Sequence, residues 1–128
     1  MKLLLDTHVL IWATNKVDRL PADIRDLFDK KDNVVFFSPV NLWEIAIKFS
    51  LRRTDFQIDP HILRSVLLDS DYEELPIRSG HAAAIADLPL LHRDPFDRML
   101  VTQATLEGAT LITADPVVAR YPGPIRKI

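Results

Sequence analysis

The sequence predicts an α/β protein in three layers, a parallel sheet with helices on both faces. Three observations predict it. Short apolar runs alternate with longer segments of helical pattern along the whole chain. The run "VVFF" at residues 34–37 is too continuously apolar for a strand with one wet face and reads as a buried parallel strand. Finally, a short acceptor residue precedes proline four times, at Ser38-Pro39, Asp59-Pro60, Asp94-Pro95 and Asp115-Pro116. Each pairs an N-cap side chain with proline at the first helical position, where its fixed φ and missing N–H do no harm.

In chain order, residues 2–5 ("KLLL") form the first strand, and "DTHVLIWAT" turns helical directly after it. Leu20-Pro21 opens a second helical stretch, Pro21 to Lys31, without a capping side chain. Residues 34–37 are the second strand. The helix over residues 39–50 carries Val40, Trp43 and Ile47 as well as Leu42, Ile45, Ala46 and Phe49, so it is apolar over most of its circumference and packs on more than one side. Asp59-Pro60 starts another helix, residues 72–75 a third strand, and Asp94-Pro95 a helix that Gly108 stops. Residues 109–113 ("ATLIT") are the fourth strand. A short helix at Pro116 and a last short strand at residues 125–128 complete a sheet of four or five strands.

The chain of 128 residues, 48% apolar and 27% charged, reads as one globular domain, residues 1–128, able to build a core without staples. With no cysteine, disulfides, thiolate metal sites and cysteine nucleophiles are excluded. No apolar run approaches the ~18 residues of a membrane span, and Leu3 to Leu5 are too few for a signal-peptide core. A cytoplasmic protein with no membrane partner is expected. The net charge of −2 does not indicate a generally basic nucleic-acid binder, although bound cations would shift that balance.

The acids are the informative residues. Asp6 follows the first strand, Glu44 sits in the second turn of the helix after the second strand, and Asp115 comes two residues after the fourth. In a parallel sheet these positions share one edge, where open α/β sheets place their chemistry. Asp94 and Asp97 start the helix leading into the fourth strand; Asp97 joins the others only if that helix runs beside the edge. Each acid also has a local reading. Asp6, Asp94 and Asp115 fit as N-caps, Asp97 as the acidic half of a capping box, and Glu44 as the i, i+4 partner of Lys48. Converging carboxylates would repel and need a cation; oxygen donors suit Mg²⁺ or Mn²⁺, and such a site suits phosphoryl chemistry. Lys48, Arg52 and Arg53 form a basic turn beyond Glu44, while Arg93 and Arg98 flank the acidic pair. Any of these can hold phosphates, Arg98 being the first choice. His8, His61, His81 and His92 show no ligand spacing and are assigned no chemistry.

Together, "LLLDTHVLIW", "SPVNLWEIAIK" and "HRDPFDRMLVTQATLEGATLITAD" resemble a PIN domain of the VapC-like ribonuclease toxins of bacterial toxin–antitoxin pairs, from residue 1 to about residue 122. The resemblance implies a sheet of order 3-2-1-4-5, with the direction change at Asp6 and Asp115. It implies that Asp6, Glu44, Asp97 and Asp115 are the catalytic acids. Asp6 and Asp97 would bind the principal ion, with Asp94, Thr7 and Thr113 in outer positions. The implied activity is Mg²⁺- or Mn²⁺-dependent cleavage of RNA, leaving a 5′ phosphate and a 3′ hydroxyl. The implied partners are a small inhibitory antitoxin, bound near Pro21 to Lys31 or Trp43, and a second copy of the chain. The competing reading is a catalytically silent RNA- or protein-binding regulatory module, in which the acids are only caps. A phospho-acceptor receiver domain fits poorly, since "LLLDTH" offers one acid and "TLITADP" no lysine.

Overall fold

The structure, a computed structural model, describes residues 1–52, 54 and 57–128. Arg53, one of the basic residues considered above, lies outside the described residues. The three leucines of β1 (Lys2–Leu5) are fully buried, because β1 is the central strand of a five-stranded sheet. β2 (Val34–Phe37) pairs with it on one side and β4 (Thr110–Thr113) on the other. β3 (Glu73–Glu74) and β5 (Ile125–Lys127) form the edges. All pairings are parallel, and the order is 3-2-1-4-5. Parallel strands require crossover connections, and the helices provide them on both faces, so the expected three-layer arrangement is present.

Side chains alternate across the sheet. Leu3, Leu5, Phe37 and Ile112 project into a core shared with Leu10, Ile24, Ile45 and Leu67. These come from α1 (Thr7–Asn15), α2 (Ala22–Asp29), α3 (Pro39–Ser50) and α4 (Pro60–Leu68). Leu4 and Leu111 point the other way, against Leu100, Val101 and Ala104 of α6 (Pro95–Glu107). Each fully buried leucine contributes roughly 1.5–3 kcal/mol, so "LLL" anchors both cores at once. The short α5 (Ser79–Ala84) leads into a single 3₁₀ turn, Ile85–Asp87.

The predicted punctuation is realised. Ser38, Asp59 and Asp94 accept backbone N–H bonds from Val40, His61 and Phe96 at 3.1, 2.8 and 2.8 Å. Gly108, at φ +66°, closes α6 in the left-handed conformation that favours glycine. Pro21 opens α2 with no side-chain cap. Two elements are shorter than the sequence indicates. β3 pairs only over Glu73 and Glu74, at the sheet edge, and the helix expected at Pro116 is a 3₁₀ turn, Val118–Arg120.

One buried polar set joins these pieces near the carboxyl ends of the strands. Asn41 Oδ1 accepts the Ser38 amide at 2.7 Å, completing a capping box. Its Nδ2 donates to the Leu5 carbonyl and to Thr7 Oγ1, both at 3.2 Å. Ser38 Oγ donates to Gln103 Oε1 at 2.6 Å, and Gln103 Nε2 donates to the Leu75 carbonyl at 3.1 Å. Asn41, Ser38 and Gln103 are fully buried, and among the described residues no buried side-chain polar atom lacks a partner. Replacing Asn41 by leucine leaves the Ser38 amide and the Leu5 carbonyl without their side-chain partner. The expected cost is about 2–4 kcal/mol, or a melting temperature lower by roughly 6–12 °C. A thermal melt of Asn41→Leu within about 2 °C of the wild type would remove Asn41 from this role.

Candidate metal centre

β1 ends at Leu5, and the Asp6 amide still donates into the sheet, to the Ile112 carbonyl at 3.0 Å. Asp6 Oδ1 then caps α1 by accepting the Val9 N–H at 2.9 Å, while Oδ2 accepts the Thr113 hydroxyl. Asp6 is therefore both a cap and the first acid of a cleft. It is buried, and burial pushes its carboxyl above the usual range even though Thr113 and the Val9 amide favour the charged form.

Glu44 reaches the same cleft from the second turn of α3. It is 4% exposed, which a glutamate tolerates only with partners. Oε1 accepts the Thr7 hydroxyl at 2.6 Å, and Oε2 pairs with Lys48 Nζ at 2.6 Å. The i, i+4 pair considered from the sequence exists, but it faces the cleft.

Asp115 follows β4. Its Oδ1 accepts the Val117 amide at 2.7 Å, and Oδ2 lies 3.3 Å from His92 Nε2. Burial raises its pKa, but the Val117 amide and His92 outweigh that effect, and the carboxyl sits below the ordinary value. α6 runs beside this edge, as the convergence required, and its first turn brings Asp97 in, with Oδ2 at 3.2 Å from His92 Nε2. Burial, followed by the charges of Asp94, Glu44, Asp6 and Asp115, pushes Asp97 up to about 8. The four acids thus converge at the order reversal between β1 and β4. They line a cleft of about 410 Å³, together with Asp94, Thr7, Lys48 and His92.

Several sequence expectations are redistributed. Asp94 is the α6 cap and also lines the cleft. Asp97 does not act as the acidic half of a capping box, because the Asp94 amide donates to His92 Nδ1 instead, at 3.2 Å. Thr7 and Thr113 donate to the carboxylates of Glu44 and Asp6. Arg98, the first choice for a phosphate contact, is not among the residues lining the cleft. Its guanidinium donates to the carbonyls of Pro89, Ile85 and Leu88 and to the Tyr121 hydroxyl. Arg93 and Arg52 are exposed, and Arg52 lies in the turn after α3. His92, assigned no chemistry from spacing, stands between Asp97 and Asp115, and one ligand atom from each of the three lies within 4.8 Å of the others. The available signal was its place two residues before an Asp-Pro cap, which is weak because loop positions carry no period.

The donor set fits a hard divalent cation. Four carboxylates offer oxygen ligands, and a cation would offset the burial and crowding that raise Asp97.

Known proteins share this fold. The PIN domain family model matches residues 3–124. No curated protein matches the sequence. Among solved structures, VapBC2 from Rickettsia felis, bound to a DNA fragment from its promoter, is similar at 21% identity. The alignment covers 99% of this chain and 98% of that one, with a TM-score of 0.75. DNA-bound VapBC from Salmonella typhimurium aligns at 21% identity over the same shares, with a TM-score of 0.68. FitAcB from Neisseria gonorrhoeae aligns at 18% identity over 91% of this chain and 89% of that one, with a TM-score of 0.57.

The Asp97 shift makes a prediction about stability. In the unfolded chain this carboxyl ionises near its ordinary 3.8, whereas in the native protein it does so near 8. Its contribution to stability is therefore complete below pH 3.8 and is lost as pH rises toward 8. Without metal at pH 7, Asp97→Asn should melt roughly 3–8 °C above the wild type, and the gain should vanish near pH 4. Melting curves of both proteins in EDTA across this pH range test it. A variant no more stable than the wild type at neutral pH contradicts the assigned crowding.

Proposed function

The chain belongs to the PIN-domain family, and from that premise we propose that it is a Mg²⁺- or Mn²⁺-dependent endoribonuclease, the toxin of a toxin–antitoxin pair. The observation that carries the reading is the convergence of Asp6, Glu44, Asp97 and Asp115 on one cleft at the strand ends, with Asp97 raised to about 8 by its surroundings. Clustered carboxylates of this kind serve cation-assisted phosphoryl chemistry better than they serve a fold.

Asp6 and Asp97 would hold the principal ion, with Asp115 and Glu44 completing the set. A cation held there would supply Lewis acidity for activating water and for stabilising charge on the departing oxygen. The protein's own residues set the geometry. Thr113 and the Val9 amide fix Asp6, Thr7 fixes Glu44, and the Val117 amide fixes Asp115. Rigid carboxylates spare the site reorganisation during the reaction. Lys48, at the cleft wall, and exposed Arg93 and Arg52 offer positive charge to RNA phosphates.

An inhibitory antitoxin and a homodimeric assembly belong to the same proposal. The VapBC and FitAcB neighbours support the antitoxin by likeness of fold, and exposed apolar side chains on α3 and α4, among them Trp43, Ile47, Ile62 and Val66, offer it a surface. A cytoplasmic location for residues 1–128, acting as one domain, completes the reading. Among the described residues no helix is long and apolar enough to cross a membrane.

Partner-free protein incubated with total cellular RNA should give discrete cuts with Mg²⁺ or Mn²⁺ and none with EDTA. Asp6→Asn and Asp97→Asn, folded by circular dichroism, should each lose about 100-fold or more in rate, exceeding the loss typical of an outer-shell partner. Metal-independent cutting, or full activity in a folded variant, would reject the proposal. RNA retention without any cleavage would favour the silent binding module.

A further inference from the structure

The geometry assigns His92 a role the acids do not fill: it is a positioning residue whose Nε2–H orients Asp97 and Asp115, and it is not itself a ligand. The assignment rests on the metal-site reading above and begins with the backbone. Residues 88–94, between the Ile85–Asp87 turn and α6, form no regular element, yet several side-chain bonds fix them. The buried Tyr121 hydroxyl accepts the His92 amide at 2.8 Å and donates to the His92 carbonyl at 3.3 Å. Arg98 holds that hydroxyl at 3.2 Å and the Pro89 carbonyl at 3.0 Å.

The ring is fixed as well. Nδ1 accepts the Asp94 amide at 3.2 Å, so its lone pair is engaged and the ring proton sits on Nε2. That N–H faces Asp97 Oδ2 and Asp115 Oδ2 at 3.2 and 3.3 Å. A histidine that ligates a metal shows the reverse arrangement, with a bare nitrogen toward the ion and the other N–H donated outward. Here the outward nitrogen accepts, which makes the inward one a donor. One N–H shared by two carboxylates from different elements, α6 and the segment after β4, sets their separation. It does so at the pair that crowding would otherwise drive apart.

Calorimetric titration with Mn²⁺ of the wild type, His92→Ala and His92→Gln tests this, since glutamine can place an amide N–H where Nε2 sits. Alanine should weaken binding about 10–100-fold, in line with loss of an outer-shell partner, and glutamine should restore most of it. Pulsed electron paramagnetic resonance of Mn²⁺-loaded protein carrying ¹⁵N-labelled histidine should show no directly bound imidazole nitrogen. A directly bound nitrogen, or unchanged affinity in a folded His92→Ala, would overturn the assignment and leave the metal site standing. Failure of the wild type to bind Mn²⁺ would overturn both.

Discussion

Like charges must be held together against their repulsion, and much of the architecture around the cleft follows from that constraint. Asp97 feels it directly: burial and four neighbouring carboxylates push it up to about 8. Asp115, bonded by the Val117 amide and by His92, moves the other way although burial opposes the shift. Two acids in one cleft are thus driven to opposite sides of neutrality by their surroundings. A divalent cation fits such a cluster because it removes the penalty that folding alone imposes.

The fold meets the constraint with a switch point. β1 is buried between β2 and β4, and its three leucines feed cores on both faces. Few strands could fix the start of α1, and hence Asp6, more firmly. Asn41 then ties that strand end to α3, through the Leu5 carbonyl, Thr7 and the Ser38 amide. Because Thr7 also donates to Glu44, the capping of α3 and the placement of its glutamate are one connected network. Buried polar networks of this kind are costly if incomplete and specific when satisfied.

Much of this was legible in sequence because it is local. The acceptor-proline pairs mark helix starts through bonds two or three residues long, and Ser38, Asp59 and Asp94 make them as read. Leu3 to Leu5 announce a strand buried on both faces. What escaped the sequence depends on contacts across the fold. Arg98 is next to an acid in sequence, yet its guanidinium reaches back to carbonyls of residues 85–89. His92 has no periodic neighbour, and only the fold brings Asp115, 23 residues away, to the ring that already meets Asp94 and Asp97. The strand expected over residues 72–75 pairs in register only at Glu73 and Glu74, although the Leu75 amide still donates to the Phe37 carbonyl.

The cap and the catalytic-acid readings of one residue need not compete. A carboxylate has two oxygens, and the structure divides them. Asp6 gives Oδ1 to the Val9 amide and Oδ2 to the Thr113 hydroxyl. Asp115 gives Oδ1 to the Val117 amide and turns Oδ2 to His92. Asp97 is different. The amide it would have capped is taken by His92 Nδ1, so its carboxylate has no such duty in the fold. It lacks an amide bond that would favour its charge, so burial and the charges of Asp94, Glu44, Asp6 and Asp115 raise it unopposed. A helix start and an acidic site are thus compatible wherever the backbone needs only one oxygen. At α6 the backbone takes its extra acceptor from an imidazole, leaving an entire carboxylate for the cleft.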